Sequence, residues 1–252
     1  MTKILAITNQ KGGVGKTTTA VNLGASLGRA GKRVLLVDID PQGNATVGSG
    51  IDMRALDSTV YEVLLGDERV AETVVETDAG YRLLPSHPDL AGAQVEMMAL
   101  ADRDFRLRNA LATATAGYDY ILIDCPPSLN VLTINALVAA SGVLIPVQCE
   151  YYALEGLSGL VDTIAKVRQV HNPALQIAGL VRTMFDGRNR LANEVSDQLR
   201  EHFGERLFRT VIPRNVRLAE APGYGKPVLD YDRHCVGARA YVALAGEVLR
   251  RV

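Results

Sequence analysis

The sequence predicts an α/β fold: a doubly wound, mostly parallel sheet with helices on both faces. Three observations predict it. Short apolar runs alternate with segments of helical period along the chain. Several runs, "RVLLVD", "YILID" and "GVLIPV", are apolar on successive residues, as strands covered on both faces must be. The first run leads straight into a glycine-rich turn and then a helix, "ILAIT-NQKGGVGKTTTA-VNLGASL".

Taken in order, Lys3–Thr8 reads as a strand. Its single lysine and brief apolar run lack the shape of an export signal. A helix follows over 16–30, then a strand over Arg33–Asp38. Residues 40–60, rich in Gly, Asn and Asp, are expected to form a mobile surface loop. A helix over 59–65, a strand over Tyr81–Pro85, helices over 88–100 and 104–116 and a strand over Tyr120–Asp124 come next. After a helix over 129–140 and a strand over Gly142–Val147, the segment 154–170 places Leu157, Leu160, Val161, Ile164 and Val167 on one stripe, away from Asp162, Lys166 and Arg168. The strand Gln176–Thr183, a second loop over 184–190, the helix 190–203, the strand Leu207–Ile212 and the helix 235–250 complete the pattern. No low-complexity linker, repeat or charge run divides it, so residues 1–252 read as one domain, with ligands expected at the carboxyl ends of the strands.

Composition narrows the function. Of 252 residues, 48% are apolar and 22% charged, which allows a large core, and the net charge of −1 gives no global attraction to nucleic acid or membrane. Such contacts require a local patch. Cys125, Cys149 and Cys235 form no C-x-x-C pair and read as reduced, buried thiols of a cytoplasmic protein, which argues against an iron–sulfur carrier. No apolar run approaches the roughly 20 residues that span a bilayer.

The loop "NQKGGVGKTTTA" nearly matches G-x-x-x-x-G-K-[ST] but carries Gln10 where that pattern needs glycine, and adds a second lysine, Lys11. Gly12, Gly13 and Gly15 let backbone N–H groups turn toward an anion, and the helix that begins near Lys16 adds its partial positive charge. Lys16 can reach β- and γ-phosphates, and the Thr17 hydroxyl can bind Mg²⁺. "YILIDCPP" ends a strand on Asp124, where a carboxylate can face the metal. "VLLVDIDPQGNAT" ends another on Asp38 and Asp40, and a carboxylate there can orient a water for in-line attack on a γ-phosphate.

"KGGVGKTT", "DIDPQGNAT", "YILIDCPPSL" and "IPRNVRLAEAPGYGKPV" together resemble the ParA/MinD deviant Walker ATPases, specifically the ParA branch and its small chromosome-partitioning Soj type. The resemblance covers nearly the whole chain and gives the fold as P-loop NTPase-like. It implies that Lys11 reaches across a homodimer to the partner's ATP phosphates, with a catalytic role beside Lys16. Gly12, Gly13, Val14, Gly15, Lys16, Thr17 and Thr18 would cradle the phosphates. Thr17 and Asp124 would hold Mg²⁺, and Asp40 would position the attacking water. Asp38 would sit behind the metal or contact that water. Pro213 and Asn215 would pack on and hydrogen-bond the adenine, an amide suiting its mixed donor–acceptor edge.

Segment 182–217 holds eight arginines against five acids, a local excess of +3. The resemblance points to Arg188 and Arg217 as contacts to double-stranded DNA, without sequence preference. Pairing two subunits would double the phosphate contacts and make binding ATP-dependent and salt-sensitive. It also implies a ParB/Spo0J-type centromere-binding partner that stimulates hydrolysis, and a cytoplasmic, nucleoid-associated location. A MinD-like membrane-cycling ATPase is the alternative. It should carry a basic amphipathic helix at the end, whereas the apolar residues of "YVALAGEVLRRV" are expected in the core, with no stable membrane anchor. An operon-repressing helix-turn-helix is not expected ahead of a strand that begins at residue 3.

Overall fold

The computed structural model describes residues 2–252. Its strands are β1 (Lys3–Ile7), β2 (Val34–Asp38), β3 (Val75–Glu76), β4 (Arg82–Leu84), β5 (Tyr120–Asp124), β6 (Gly142–Gln148), β7 (Gln176–Phe185) and β8 (Leu207–Pro213). Its helices are α1 (Lys16–Arg29), α2 (Asn44–Gly48), α3 (Val60–Leu65), α4 (Val70–Thr73), α5 (Leu90–Met97), α6 (Arg106–Ala112), α7 (Val131–Ala139), α8 (Ala153–Val170), α9 (Arg190–Phe203), α10 (Val216–Glu220), α11 (Val228–Tyr231) and α12 (Val236–Arg251). The strands form one eight-stranded sheet in the order β3-β4-β2-β5-β1-β6-β7-β8. Every pairing is parallel except β3 with β4.

The uninterrupted apolar strands have the predicted cause. Along β1, β2 and β5 alternate side chains enter two separate cores. Ala6, Leu35, Val37, Ile121 and Ile123 pack under α3 and α5–α9, while Leu5, Ile7, Leu36 and Leu122 pack under α1 and α12. The α8 stripe buries Leu157, Leu160, Ile164 and Val167, with Val161 at its edge. In α12, Tyr241, Leu244, Ala245 and Val248 are core residues, as the sequence suggests. Cys125 and Cys149 are buried and unpaired, but Cys235, expected to be buried with them, is only half-buried, its Sγ accepting from the Ala238 amide at the start of α12.

β1 lies where the winding reverses, toward β2 on one side and β6 on the other, which is where such sheets open a ligand crevice. The register aligns the strand ends: Ile7 and Asp38 both lie beside Asp124. The segment 40–60 is not the mobile loop expected of it. α2 forms there, with Ala45 and Thr46 buried, because the Asp38 carboxylate accepts from both the amide and the hydroxyl of Thr46, each at 2.8 Å. β7 also runs past Thr183 into the second expected loop, carrying Met184 at φ +48°. The helix expected over 104–116 contracts to 106–112. α4, β3, α10 and α11 escape a sequence reading because elements of five residues or fewer complete no period.

Candidate functional site

The loop between β1 and α1 is pinned on both sides. Asn9 donates to the Pro146 carbonyl (2.8 Å) and accepts from the Lys11 amide (3.0 Å), while the Thr183 hydroxyl donates to the Val14 carbonyl (2.8 Å). Gly13 and Gly15 hold φ of +73° and +84°, the left-handed region where a side chain would be strained. Gly15 caps α1 without a side-chain hydrogen bond, so the amides of the first turn stay available to an anion. Lys16 is only 7% exposed, and its Nζ donates to the Lys11 carbonyl at 3.1 Å. Burial pulls its pKa down, and the nearby charges of Asp124 and Asp40 oppose that pull.

Three carboxylates close the other side. Asp124 is fully buried, and neither of its oxygens has a hydrogen-bond partner among the described residues. Burial, then the charge of Asp38, raises its pKa well above the carboxylate range. The Thr17 hydroxyl and Lys16 temper the rise, Thr17 from a position short of good hydrogen-bond geometry. An orphaned buried carboxylate is costly unless a cation meets it. Asp38 is buried too, and burial raises its pKa to about 6. Both its oxygens are engaged, one by Thr46 and one by the Asp40 amide at 3.2 Å. Asp40 is held by its backbone, its carbonyl accepting from Ser86 Oγ (2.7 Å) and the Gly43 amide (2.8 Å), and its Oδ1 accepts from the Gln42 amide (3.0 Å).

A cavity of about 760 Å³ joins these parts. Gly12, Gly13, Gly15, Lys16, Thr17, Thr18 and Asp40 line one end, and Thr183, Met184, Pro213 and Asn215 line the other. Val14 is buried behind the loop. Asn215 Oδ1 is a buried acceptor with no donor, beside the start of α12, where a Cβ on Gly237 would come within 3.2 Å of it. Sequence reasoning missed Thr183 and Met184. The rule that ligands sit at the carboxyl ends of strands could have found them, and the uncommon φ of Met184 marks the same spot.

Lys11 stands apart. It does not line the cavity, and its Nζ meets Glu150 Oε2 at 2.5 Å, just before α8. The exposed Tyr151 and Tyr152 follow, their rings edge to face with centroids 5.0 Å apart. Arg188 and Arg217 are likewise outside the cavity, at the end of the sheet where Phe185 of β7 registers with Pro213 of β8. Each is already matched: Arg188 makes two bonds to Asp186 (2.9 and 2.7 Å), and Arg217 meets Glu220 at 2.8 Å and Asp232 at 3.5 Å.

A glycine loop leaving the central parallel strand, a buried lysine and carboxylates on neighbouring strand ends define the phosphate-loop class of nucleotide hydrolases. The family model described as an AAA domain (AAA_31) matches residues 2–177. The chain is 52% identical over 252 residues to the chromosome partitioning protein ParA of Caulobacter vibrioides, covering 99% of this chain and 94% of that one. It is 56% identical over 248 residues to the chromosome-partitioning ATPase Soj of Thermus thermophilus, covering 98% and 96%. A Mycobacterium smegmatis structure described as cobyrinic acid a,c-diamide synthase, with a bound ATP analogue and magnesium, superposes with a TM-score of 0.87 at 40% identity over 99% of this chain and 95% of that one. The chain belongs to the ParA/Soj family of chromosome-partitioning ATPases. ATP and Mg²⁺ are the cofactors of this class, and the orphaned Asp124 beside Thr17 fits the ion as the glycine loop fits the phosphates.

Proposed function

We propose that the chain is a DNA-partitioning ATPase whose two copies, 1–252 each acting as one unit, pair around ATP, bind duplex DNA and part on hydrolysis. The observation that carries this reading is the position of Lys11. A loop lysine that stays out of its own cavity, tethered to Glu150 at 2.5 Å, supports a role toward a ligand on a facing subunit. Supplied there, its charge couples nucleotide state to pairing and stabilises charge that develops on the phosphates.

Within each subunit the loop amides of Gly12–Thr18 and the Lys16 ammonium would bind the phosphates. Thr17 and Asp124 would hold Mg²⁺, which neutralises phosphate charge when bound. Asp40 would orient the attacking water. Asp38, spent on Thr46 and the Asp40 amide, would position Asp40 and not touch the water itself. The lone Asn215 Oδ1 would accept from the adenine amino group, with Pro213 against the ring. Arg188 and Arg217, at one edge of the sheet, would contact DNA phosphates, placing the protein on the nucleoid, and a ParB-type partner bound at the centromere would speed hydrolysis.

The test is duplex binding with ATP, ADP and no nucleotide. Wild type should bind only with ATP. Lys16→Ala should lose that response, Asp40→Ala should remain bound, and Arg188→Ala should pair yet fail on DNA. Equal binding with and without ATP would overturn the reading. Vesicle co-sedimentation serves as the control for a membrane-cycling role. No helix among the described residues is long and apolar enough to cross a membrane, and α12 spends its apolar face on the core.

A further inference from the structure

The edge of the sheet opposite the arginines carries a second surface. Residues 57–104 hold eleven acids against three arginines, a local charge of −8 in a chain of −1. Some of those acids are neutralised in place: Glu72 pairs with Arg69, Glu76 with Arg82 and Asp102 with Arg106. Glu62, Asp67 and Glu96 are different. Among the described residues none of them enters an ion pair: Glu96 accepts from the Tyr61 hydroxyl at 2.9 Å, Glu62 accepts from the amide and hydroxyl of Thr59 at 2.7 and 3.0 Å, and the charges of all three bear on Tyr61.

Beside this cluster lies an apolar face with no cover. α5 turns Leu90, Ala93 and Met97 into the core and leaves Val95 75% and Met98 57% exposed. Three residues apart, these two share a side of the helix. Gln94 accepts from Asn130 at 2.7 Å, which brings Leu129, itself 46% exposed, to the same place. Large apolar side chains grouped at the surface mark an interaction site. The charge around this one is predominantly negative, the exception being Arg103, which donates to the Met98 carbonyl at 3.3 Å and sits beside Asp104. The sign selects the occupant. DNA and anionic lipid would be repelled, and so would a second acidic copy of the same face.

We propose that α3, α5 and Leu129 form a docking surface for a basic segment of another protein, one carrying two or three large apolar side chains among lysines or arginines. Val95, Met98 and Leu129 take the apolar side chains, and Glu62, Asp67 and Glu96 face the cations. Lying at the far edge from Arg188 and Arg217, the surface stays open while the arginine edge is occupied. The inference stands on this surface alone and does not require the DNA cycle.

The test uses the full chain and a fluorescein-labelled amphipathic leucine–lysine peptide, read by anisotropy. Saturable binding is expected, weakened about tenfold or more in the double variant Val95→Ser, Met98→Ser and in Glu96→Lys. Arg188→Ala should bind the probe as wild type does, which separates a failure here from a failure at the DNA edge. Val95→Ser, Met98→Ser and Glu96→Lys, all at exposed positions, should leave basal ATP hydrolysis and the melting temperature unmoved. No saturable binding, or equal binding by the variants, would overturn the proposal. So would equal binding of a serine–lysine peptide, since charge alone would then explain it. A change in the oligomeric state of Val95→Ser, Met98→Ser by light scattering would assign the face to a second copy, and would overturn it as well.

Discussion

The two edges of the sheet hold opposite charges in opposite conditions. At the β7–β8 edge the cations Arg188, Arg190 and Arg217 are each matched by a carboxylate of their own neighbourhood, Asp186, Glu194 and Glu220. At the β3–β4 edge Glu62, Asp67 and Glu96 have no cation among the described residues. In the proposed cycle a phosphate that binds Arg188 would have to displace Asp186, so one subunit would offer little net attraction and affinity would come from doubling the edge. A cation approaching α5 displaces no resident cation from these three acids, although Glu62 is bonded by Thr59 and Glu96 by the Tyr61 hydroxyl. Charge count alone would rank the arginine segment, at +3, as an ordinary basic patch. The pairing restrains half of it: Arg188, Arg190, Arg200 and Arg217 are matched, while Arg206, Arg209 and Arg214 are exposed with no ion pair among the described residues.

The comparison can be broken in four places. The largest effect belongs to the phosphate loop, which in the proposed cycle controls the basic edge. Lys16→Ala should lower phosphate release by about a hundredfold or more and abolish ATP-dependent duplex binding, while leaving the leucine–lysine probe bound at α5. If probe binding fell too, the edges would not be independent. Next is the restraint itself. Asp186→Asn should tighten ATP-dependent duplex binding by about three- to tenfold at low salt, and Arg188→Ala should weaken it by at least as much, both measured by anisotropy over a salt series. An unchanged Asp186→Asn would show that the carboxylate holds nothing back.

The third concerns the buried carboxylates. Asp38 has its pKa raised by burial to about 6, above the roughly 4 of an unfolded chain. The folded form therefore holds the proton more tightly between those values. The group favours folding most below about pH 4, and that contribution is lost as pH rises through 6. Without nucleotide or Mg²⁺, wild type should gain a few degrees in melting temperature relative to Asp38→Asn as pH falls from about 7 to 5. A difference that stays flat would remove the burial argument. The smallest effect is at Lys11. Glu150→Gln should raise the ATP-bound dimer population about two- to threefold in sedimentation velocity, since a half-exposed ion pair contributes only a few tenths to about 1 kcal/mol.

Legibility in the sequence followed element length and cooperation between neighbours. β1, β2, β5 and β6 were readable because both faces are buried, so that "YILID" needs no partner to announce itself. The phosphate loop was readable because its glycines answer to backbone angles that few other residues adopt. α2 was not, since it exists through a bond from Asp38 to Thr46 eight residues on, a contact no local pattern encodes. The roles of Asp186 and Glu150 were hidden for a related reason. An acid two residues from an arginine, or after a strand end, reads as solvated surface until the geometry shows which cation it holds.

The pair of rings that follows Glu150 has a practical consequence. The chain has nine tyrosines and no tryptophan, so its intrinsic emission is phenolic throughout. Tyr151 and Tyr152 are exposed and lie edge to face, one step from the carboxylate that Lys11 would abandon if, as proposed, it turns to a facing subunit. On the proposed cycle their light should change as two copies close, giving a label-free clock for pairing in the unmodified protein.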